Sequence, residues 1–261
     1  MDADRLSVSE IAAYLATARR VSAATLRRLA DDPRVSVPAL VARYRAGRQA
    51  EQRERARLRA LYQEDRRRAP AGRLVAGVDE VGRGPLAGPV FAAAVILGSG
   101  VLAGLDDSKR LTPEAREALD EEIRAGALAV GVGEASVAEI DQFNIVGATR
   151  LAMRRAVETL TPCPEFLLID GRERLPVPIA QAAVIDGDSM CACIAAASIV
   201  AKVARDRVMR ALDETYPVYG FARHKGYATP EHFASLARYG PCPVHRRGFL
   251  PQEQIGLFET S

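Results

Sequence analysis

From Leu74 onward, short apolar runs alternate with longer stretches of helical pattern, and this alternation limits the possible folds more than any other feature. The runs at 74–78, 89–97, 127–132 and 166–169, and a fifth at 180–185, have strand length and mostly glycine, proline or acidic borders. Between them, Thr112-Pro113-Glu114 supplies an N-cap, a proline where an N–H would find no intrahelical acceptor, and an acid in the first turn. A helix should run from there to about Arg124. Further helices are expected over 146–160 and from near Met190 to about Thr215, the last stopping before Pro217. Strands interleaved with helices predict an α/β sheet domain over 71–215. Residues 216–261 read as loops with one short helix near 230–237. With 48% apolar and 26% charged residues the chain can build a sizeable core, which excludes a disordered protein or a disulfide miniprotein.

Residues 1–70 follow a different pattern. They read as helical over 7–14, 23–29 and an Arg/Glu-rich run at 37–68, with breaks near Asp31-Asp32-Pro33 and Val37-Pro38. This extension holds sixteen arginines against nine acids, so it carries +7 of a net +3, and residues 71–261 carry −4. Past Arg45 the run has little apolar stripe and is either a solvated linker helix or a phosphate-facing surface. Pro70-Ala71-Gly72 closes it. The longest nearly apolar stretch, 191–201, ends at Lys202, far short of the ~20 residues that span a bilayer. The first thirty residues lack the apolar core of a secretory signal, so a cytoplasmic location is expected. Cys163, Cys191, Cys193 and Cys242 have no C-x-x-C spacing and read as core or near-surface thiols.

Three sequence-distant segments deliver carboxylates to the ends of predicted strands. The first, Asp79-Glu80, is followed by the glycine-rich Gly82-Arg83-Gly84; the second is Asp170-Gly171; the third is Asp186-Gly187-Asp188. Strand ends are where α/β sheets place ligand sites. Carboxylates gathered there repel one another unless cations lie between them, and hard divalent cations prefer carboxylate oxygens. The pattern therefore predicts a two-metal site for phosphoryl chemistry, although Asp-Gly is also an ordinary turn signal. A dinucleotide-binding reading fails because the acids precede the glycines, and a P-loop reading fails for want of G-K-[ST]. Lys109, Lys202 and Lys225 are the only lysines among thirty-six basic residues, and each lies beside a candidate site. A compact ammonium is needed where a planar fork does not serve. Ser198, Lys202 and Arg205 share one helix face by spacing, a stripe suited to a polyanionic strand.

The ordered motifs Ala76-Gly-Val-Asp-Glu-Val-Gly-Arg-Gly-Pro-Leu-Ala-Gly-Pro-Val90, Asp107-Ser-Lys109, Ile169-Asp-Gly171, Ala195-Ala-Ala-Ser-Ile-Val-Ala-Lys-Val203, Tyr219-Gly-Phe221, His224-Lys-Gly-Tyr227 and His245-Arg246 resemble bacterial ribonuclease HII, the type 2 ribonuclease H. The resemblance covers about Leu74 to Pro251, and residues 1–70 resemble, less closely, the helical extension of some members. It implies a ribonuclease H-like mixed five-stranded sheet flanked by helices, with 216–261 completing the substrate groove. It implies four catalytic and metal-binding acids, Asp79, Glu80, Asp170 and Asp188, with Asp186 the nearest competitor for the last and Asp79 the bridging ligand. Two Mg²⁺ or Mn²⁺ ions would activate water and stabilise the departing 3′ oxygen. The implied activity is hydrolysis of RNA in RNA–DNA hybrids and incision 5′ of a ribonucleotide embedded in duplex DNA, leaving a 3′-hydroxyl and a 5′-phosphate. The Gly82-Arg83-Gly84 backbone resembles the family's reader of the ribose 2′-hydroxyl, and Tyr227 the tyrosine that stacks on the following deoxyribose. Lys109, Ser198, Lys202, Arg205 and Lys225 complete the expected substrate contacts, and His224, His232 and His245 are expected in structural or phosphate roles. The alternatives are a type 3 ribonuclease H, whose N-terminal appendage contains a sheet, and a nuclease-dead hybrid-binding protein. A monomer is expected, with a sliding-clamp contact conceivable through 252–258.

Overall fold

The structure is a computed structural model and describes residues 6–18 and 20–250. Its packing divides into two compact units, Met1–Arg57 and Leu58–Ser261, with the division inside a helix instead of at the turn at 70–72. In the first unit, α1 (Val8–Thr17), α2 (Ala23–Ala30) and the start of α3 (Ser36–Arg68) enclose a small core of Ile11, Leu15, Val21, Leu29, Val37 and Val41. Ser7 and Glu10 form a reciprocal capping box on α1, and Ser22 caps α2. The expected break at Val37-Pro38 is absent. Pro38 falls in the first turn of α3, where its missing N–H costs the helix nothing.

The second unit is built on a mixed sheet of five strands, β1 (Val75–Val81), β2 (Val90–Ile96), β3 (Ala129–Ala135), β4 (Phe166–Asp170) and β5 (Ala180–Val184), in the order β3-β2-β1-β4-β5. β1, β2 and β3 run antiparallel, while β4 and β5 lie parallel to β1. Helices α4 (Pro113–Gly126) and α7 (Ala192–Thr215) cover one face, and α5 (Val137–Glu158) covers the other. Strand β2 is buried throughout because its alternate residues feed both cores, Ala92 and Ala94 toward α5, Ala93 and Val95 toward α7. The apolar stretch at 191–201 is therefore the central buried helix of a domain. A Cβ on Gly77 of β1 would lie 2.1 Å from the Cys193 carbonyl carbon, so glycine is what lets α7 rest on the strand. Leu58 and Leu61, from the last turns of α3, join the core beneath α7.

The predicted elements are present with shifted edges. β1 continues through both acids to Val81, and β3 starts and ends later than its apolar run, because Gly131 and Gly133 interrupt the pattern where α5 approaches closely. α5 starts at Val137, nine residues before the expected helix. Its Ser136–Glu139 capping box marks that start, and Asn144 (φ 55°, ψ 174°) kinks the helix and begins the expected part by accepting the Val146 and Gly147 N–H groups. The remaining elements are α6 (Gly187–Met190), α8 (Phe221–His224), α9 (Pro230–Tyr239) and a 3-10 turn at Arg247–Phe249.

Candidate active site

The parallel register of β1 with β4 pairs Val78 with Ile169, so the next residue of each strand, Asp79 and Asp170, emerges at the same end of adjacent strands. Asp79, Glu80 and Asp170 each bring a carboxylate oxygen within 4.8 Å of the others. Asp79 is only 4% exposed, and one of its oxygens accepts the Glu80 N–H at 2.7 Å. Asp170 accepts the N–H of Gly187 at 2.7 Å, which ties the end of β4 to the start of α6. Asp188, on α6, receives Lys109 Nζ at 3.2 Å, and its charge acts on Asp170. The competitor Asp186 is exposed and adopts a left-handed backbone conformation; its carbonyl, not its carboxylate, accepts from Ser189.

Asp79, Glu80 and Asp170 are pushed toward their neutral form against their ordinary tendency. Burial raises Asp79 well above the usual carboxylate range, and the charges of Glu80 and Asp170 add to the rise. Burial likewise raises Glu80, with Arg83 opposing, and raises Asp170, with the Gly187 N–H opposing. An all-oxygen donor set gathered under mutual repulsion fits a hard divalent cation, which would relieve that repulsion. The described residues contain no other His, Cys, Asp or Glu grouping of this kind.

Arg83 lies 3.4 Å from Glu80 and is half exposed, while two buried arginines clamp the backbone of its loop. Arg246 donates to the Gly82, Arg83 and Gly88 carbonyls at 2.6, 3.0 and 2.8 Å. Arg205 donates to the Pro89, Ala87 and Lys225 carbonyls at 3.1, 3.2 and 3.0 Å. A Cβ on Gly82, whose φ is 93°, would strike the Arg205 side chain at 2.3 Å. The expectation that Arg205 lines a substrate-facing stripe is corrected: its guanidinium is buried because carbonyls from two separate loops need one multidentate donor. Ser198 faces inward too, sharing a 2.8 Å hydrogen bond with Ser108 and acting on Asp79. Lys202 is tied to Asp206 at 2.6 Å, beside Arg116 at 3.2 Å from the same acid.

Lys109 stands at the acids, whereas Lys225 donates to the Ala222 carbonyl of α8, the helix it follows. Gly84 and Leu86 continue the clamped loop, and the Leu86 N–H donates to Gly226 O at 2.8 Å, which joins it to the Tyr227 segment. Tyr227 is 42% exposed, with the Arg205 guanidinium carbon 5.8 Å from its ring centre. Beside the acids, a cavity of about 310 Å³ is lined by Glu80, Arg83, Arg150, Asp170, Arg172 and Arg174, among others. Arg116 likewise holds the Ser108 and Leu111 carbonyls at 2.9 and 3.0 Å, and neither its clamping role nor that of Arg246 is legible from spacing, since a lone buried arginine leaves no periodic signal. The four cysteines are free thiols, Cys191 and Cys193 in the core. No helix among the described residues is long and apolar enough to cross a membrane. Residues 252–258, considered for a clamp contact, lie outside the described residues.

The chain matches the Ribonuclease HII family over residues 76–251 and the Ribonuclease HII N-terminal domain over residues 7–68. It is 53% identical over 229 residues to the ribonuclease HII of Geobacillus kaustophilus, covering 87% of this chain and 88% of the relative. To that of Geobacillus thermodenitrificans it is 50% identical over 254 residues, covering 96% and 98%. Among solved structures it is similar to the ribonuclease H2 of Pyrococcus horikoshii OT3, with a TM-score of 0.60 and 25% identity over 72% of this chain and 99% of the other. It is also similar to a chain of the PCNA:RNase HII complex from Archaeoglobus fulgidus, with a TM-score of 0.59 and 27% identity over 69% and 96%.

Proposed function

Because the chain belongs to the ribonuclease HII family, and is thus a ribonuclease that hydrolyses phosphodiester bonds, we propose that it cleaves the RNA strand of RNA–DNA hybrids and incises duplex DNA 5′ of an embedded ribonucleotide, leaving a 3′-hydroxyl and a 5′-phosphate. The observation that carries this reading is the meeting of Asp79, Glu80 and Asp170 within 4.8 Å beside a glycine loop whose backbone is clamped by buried guanidinium groups. Asp79, Glu80, Asp170 and Asp188 would hold two Mg²⁺ or Mn²⁺ ions, with Asp79, the most enclosed of the acids, as the shared ligand. When bound, such ions lower the pKa of the attacking water and offset the charge on the departing 3′ oxygen.

The chain's own residues orient the strand. Arg205 and Arg246 occupy carbonyls of the 82–89 loop and fix its path, so that its backbone N–H groups at Gly82, Arg83 and Gly84 can meet a ribose 2′-hydroxyl, the group that distinguishes RNA from DNA. Lys109 brings positive charge to the acids, and the exposed ring of Tyr227 offers a surface for the following deoxyribose. Lys202 and Lys225 act on phosphates only by leaving their present partners, Asp206 and the Ala222 carbonyl. In domain terms, 71–215 carries the catalytic machinery, 216–261 completes the groove and the Arg-rich residues 1–70 add phosphate contacts. The described part of Met1–Arg57 contains helices and no strand, unlike the platform of a type 3 enzyme. The PCNA complex of the A. fulgidus relative supports a clamp contact for residues 252–258. The deciding experiment is cleavage of a DNA duplex carrying one ribonucleotide, with and without Mg²⁺, with end-group analysis. Single-site, metal-dependent incision 5′ of the ribonucleotide is expected. Metal-independent cleavage, or hybrid binding without cleavage, would overturn the reading.

A further inference from the structure

Three histidines sit behind Tyr227, and hydrogen-bond geometry assigns every ring nitrogen. A carbonyl can only accept, so a nitrogen whose close partner is a carbonyl must carry the proton. His224 Nε2 faces Tyr219 O at 2.7 Å, leaving Nδ1 to accept the Gly226 N–H at 3.1 Å. His232 Nδ1 faces Tyr227 O at 2.9 Å, leaving Nε2 as an acceptor. His245 Nδ1 accepts the Cys242 N–H at 2.9 Å, with the Cys242 thiol and carbonyl farther off at 3.2 and 3.3 Å. Its Nε2–H therefore donates to His232 Nε2 at 3.0 Å. His232 and His245 are buried, and His224 stacks on His232 with ring centres 4.4 Å apart. Among the described residues no carboxylate hydrogen-bonds any of the three rings. The set closes only with all three rings neutral, because one more proton on the pair would set two N–H groups against each other at 3.0 Å.

The network terminates on the Tyr227 segment. Gly226 N–H is held by His224, and Tyr227 O accepts both the His232 Nδ1–H and the Thr229 N–H, each at 2.9 Å, while Lys225 and Gly226 adopt φ of 51° and 81°. We infer that His232 is the positioning residue of Tyr227: its Nδ1–H fixes the tyrosine's peptide, and His245 acts through it by dictating the tautomer that leaves that proton on Nδ1. The selectivity for a ribonucleotide followed by deoxyribose then depends on this relay as well as on the ring that makes the contact. The inference deepens the proposed junction-cleaving function and rests on it for its kinetic half.

Two measurements test it. In ligand-free, ¹⁵N-labelled protein at pH 7, long-range imidazole correlation spectra should show three neutral rings, His232 protonated at Nδ1 and His224 and His245 at Nε2. An imidazolium or an Nε2–H tautomer at His232 overturns the inference whatever the substrate proves to be. His232→Leu should lower cleavage of the single-ribonucleotide duplex by roughly tenfold or more, as loss of an aromatic stack would, and spare a uniform RNA–DNA hybrid more. His232→Asn, which keeps an N–H near the Nδ1 position, should recover most of the loss, and His232→Gln should not. In a Tyr227→Ala background, His232→Leu should add nothing further. Equal losses on both substrates, no recovery by Asn, or losses that multiply with Tyr227→Ala each refute it. If the parental enzyme cuts the hybrid but not the single-ribonucleotide duplex, the proposed function fails and the tautomer measurement still decides the positioning role.

Discussion

Asp79→Asn should abolish cleavage yet make the metal-free protein more stable. The substituted amide keeps an oxygen to accept the Glu80 N–H, now at 2.7 Å from Asp79, and the volume of a side chain that is 4% exposed, so the change is close to a pure loss of charge. Two unit charges 4.8 Å apart repel by ~3.5 kcal/mol at an effective dielectric constant near 20. Because burial and its neighbours already raise Asp79 well above its ordinary range, part of that repulsion is relieved by protonation, and about 1–3 kcal/mol remains to be gained. In a domain of this size each kcal/mol moves Tm by ~2–4 °C. The sign follows from linkage: an acid raised in the folded state costs stability above its folded pKa and nothing below its unfolded one. The advantage of the Asp79→Asn variant should therefore be largest at pH 8 and fade toward pH 4. The assay is thermal unfolding in EDTA and then with Mg²⁺ or Mn²⁺. In EDTA the variant should melt about 2–12 °C above the parent; with metal the parent should gain and the variant gain much less. A variant that melts lower in EDTA, or metal that stabilises both proteins equally, would refute the argument that these acids are held in repulsion for a cation.

Four further outcomes can be checked. A chain starting at Leu58 loses a segment with twelve arginines and seven acids, so its hybrid affinity should fall and its salt slope flatten while the nuclease stays folded; an unchanged slope means the segment does not touch nucleic acid. A chain starting at Ala71 should melt several degrees lower than one starting at Leu58, because Leu58 and Leu61 leave the core and the α7 N-terminus loses Asp65. Burial raises Asp65 to about 6, so it costs stability increasingly between pH 4 and 6, by up to ~3 kcal/mol above that; Asp65→Asn should raise Tm at pH 8 and match the parent near pH 4. Tyr227→Ala should slow cleavage of the single-ribonucleotide duplex by roughly tenfold to a hundredfold, and Tyr227→Phe much less, because a stack needs the ring.

Most of the sheet is legible because a buried strand declares itself by an apolar run of strand length, as β1, β2 and β4 do, and the part-buried edge strand β5 still keeps such a run. β3 blurs it, since Gly131 and Gly133 trade apolar side chains for close approach of the α5 backbone. The first half of α5 shows only in the Ser136–Glu139 box that marks its start, because the kink at Asn144 breaks its apolar periodicity from that of the second half. The end of α3 misled in the opposite sense. Its Arg-rich composition resembles a solvated rod, yet Leu58, Leu61 and Asp65 are three inward residues on one face, and that is all a helix needs to join a core and cap a neighbour.

The site divides along a physical line between groups that announce a ligand and groups that announce only each other. Carboxylates at strand ends can be read from sequence because burying them without a counter-charge is costly, so their presence in three apolar contexts demands an explanation. Cations give no such signal. Ser198, Lys202 and Arg205 share a helix face as their spacing requires, but Ser198 meets Ser108, Arg205 meets the loop carbonyls and Lys202 pairs with Asp206 one turn along the same helix, so a stripe that looks open to phosphate is already engaged within the fold. Spacing along one helix fixes which residues point together; what they point at depends on segments far away in the chain. Here those segments are the 82–89 and 225–227 loops, whose carbonyl groups lack the regular partners of a sheet or helix and must be satisfied by something buried with them. Arg205 and Arg246 do this with six hydrogen bonds. A loop that must approach a nucleic-acid backbone closely needs glycines, glycines leave it without side chains to hold it in place, and buried guanidinium groups supplied from elsewhere make up that loss.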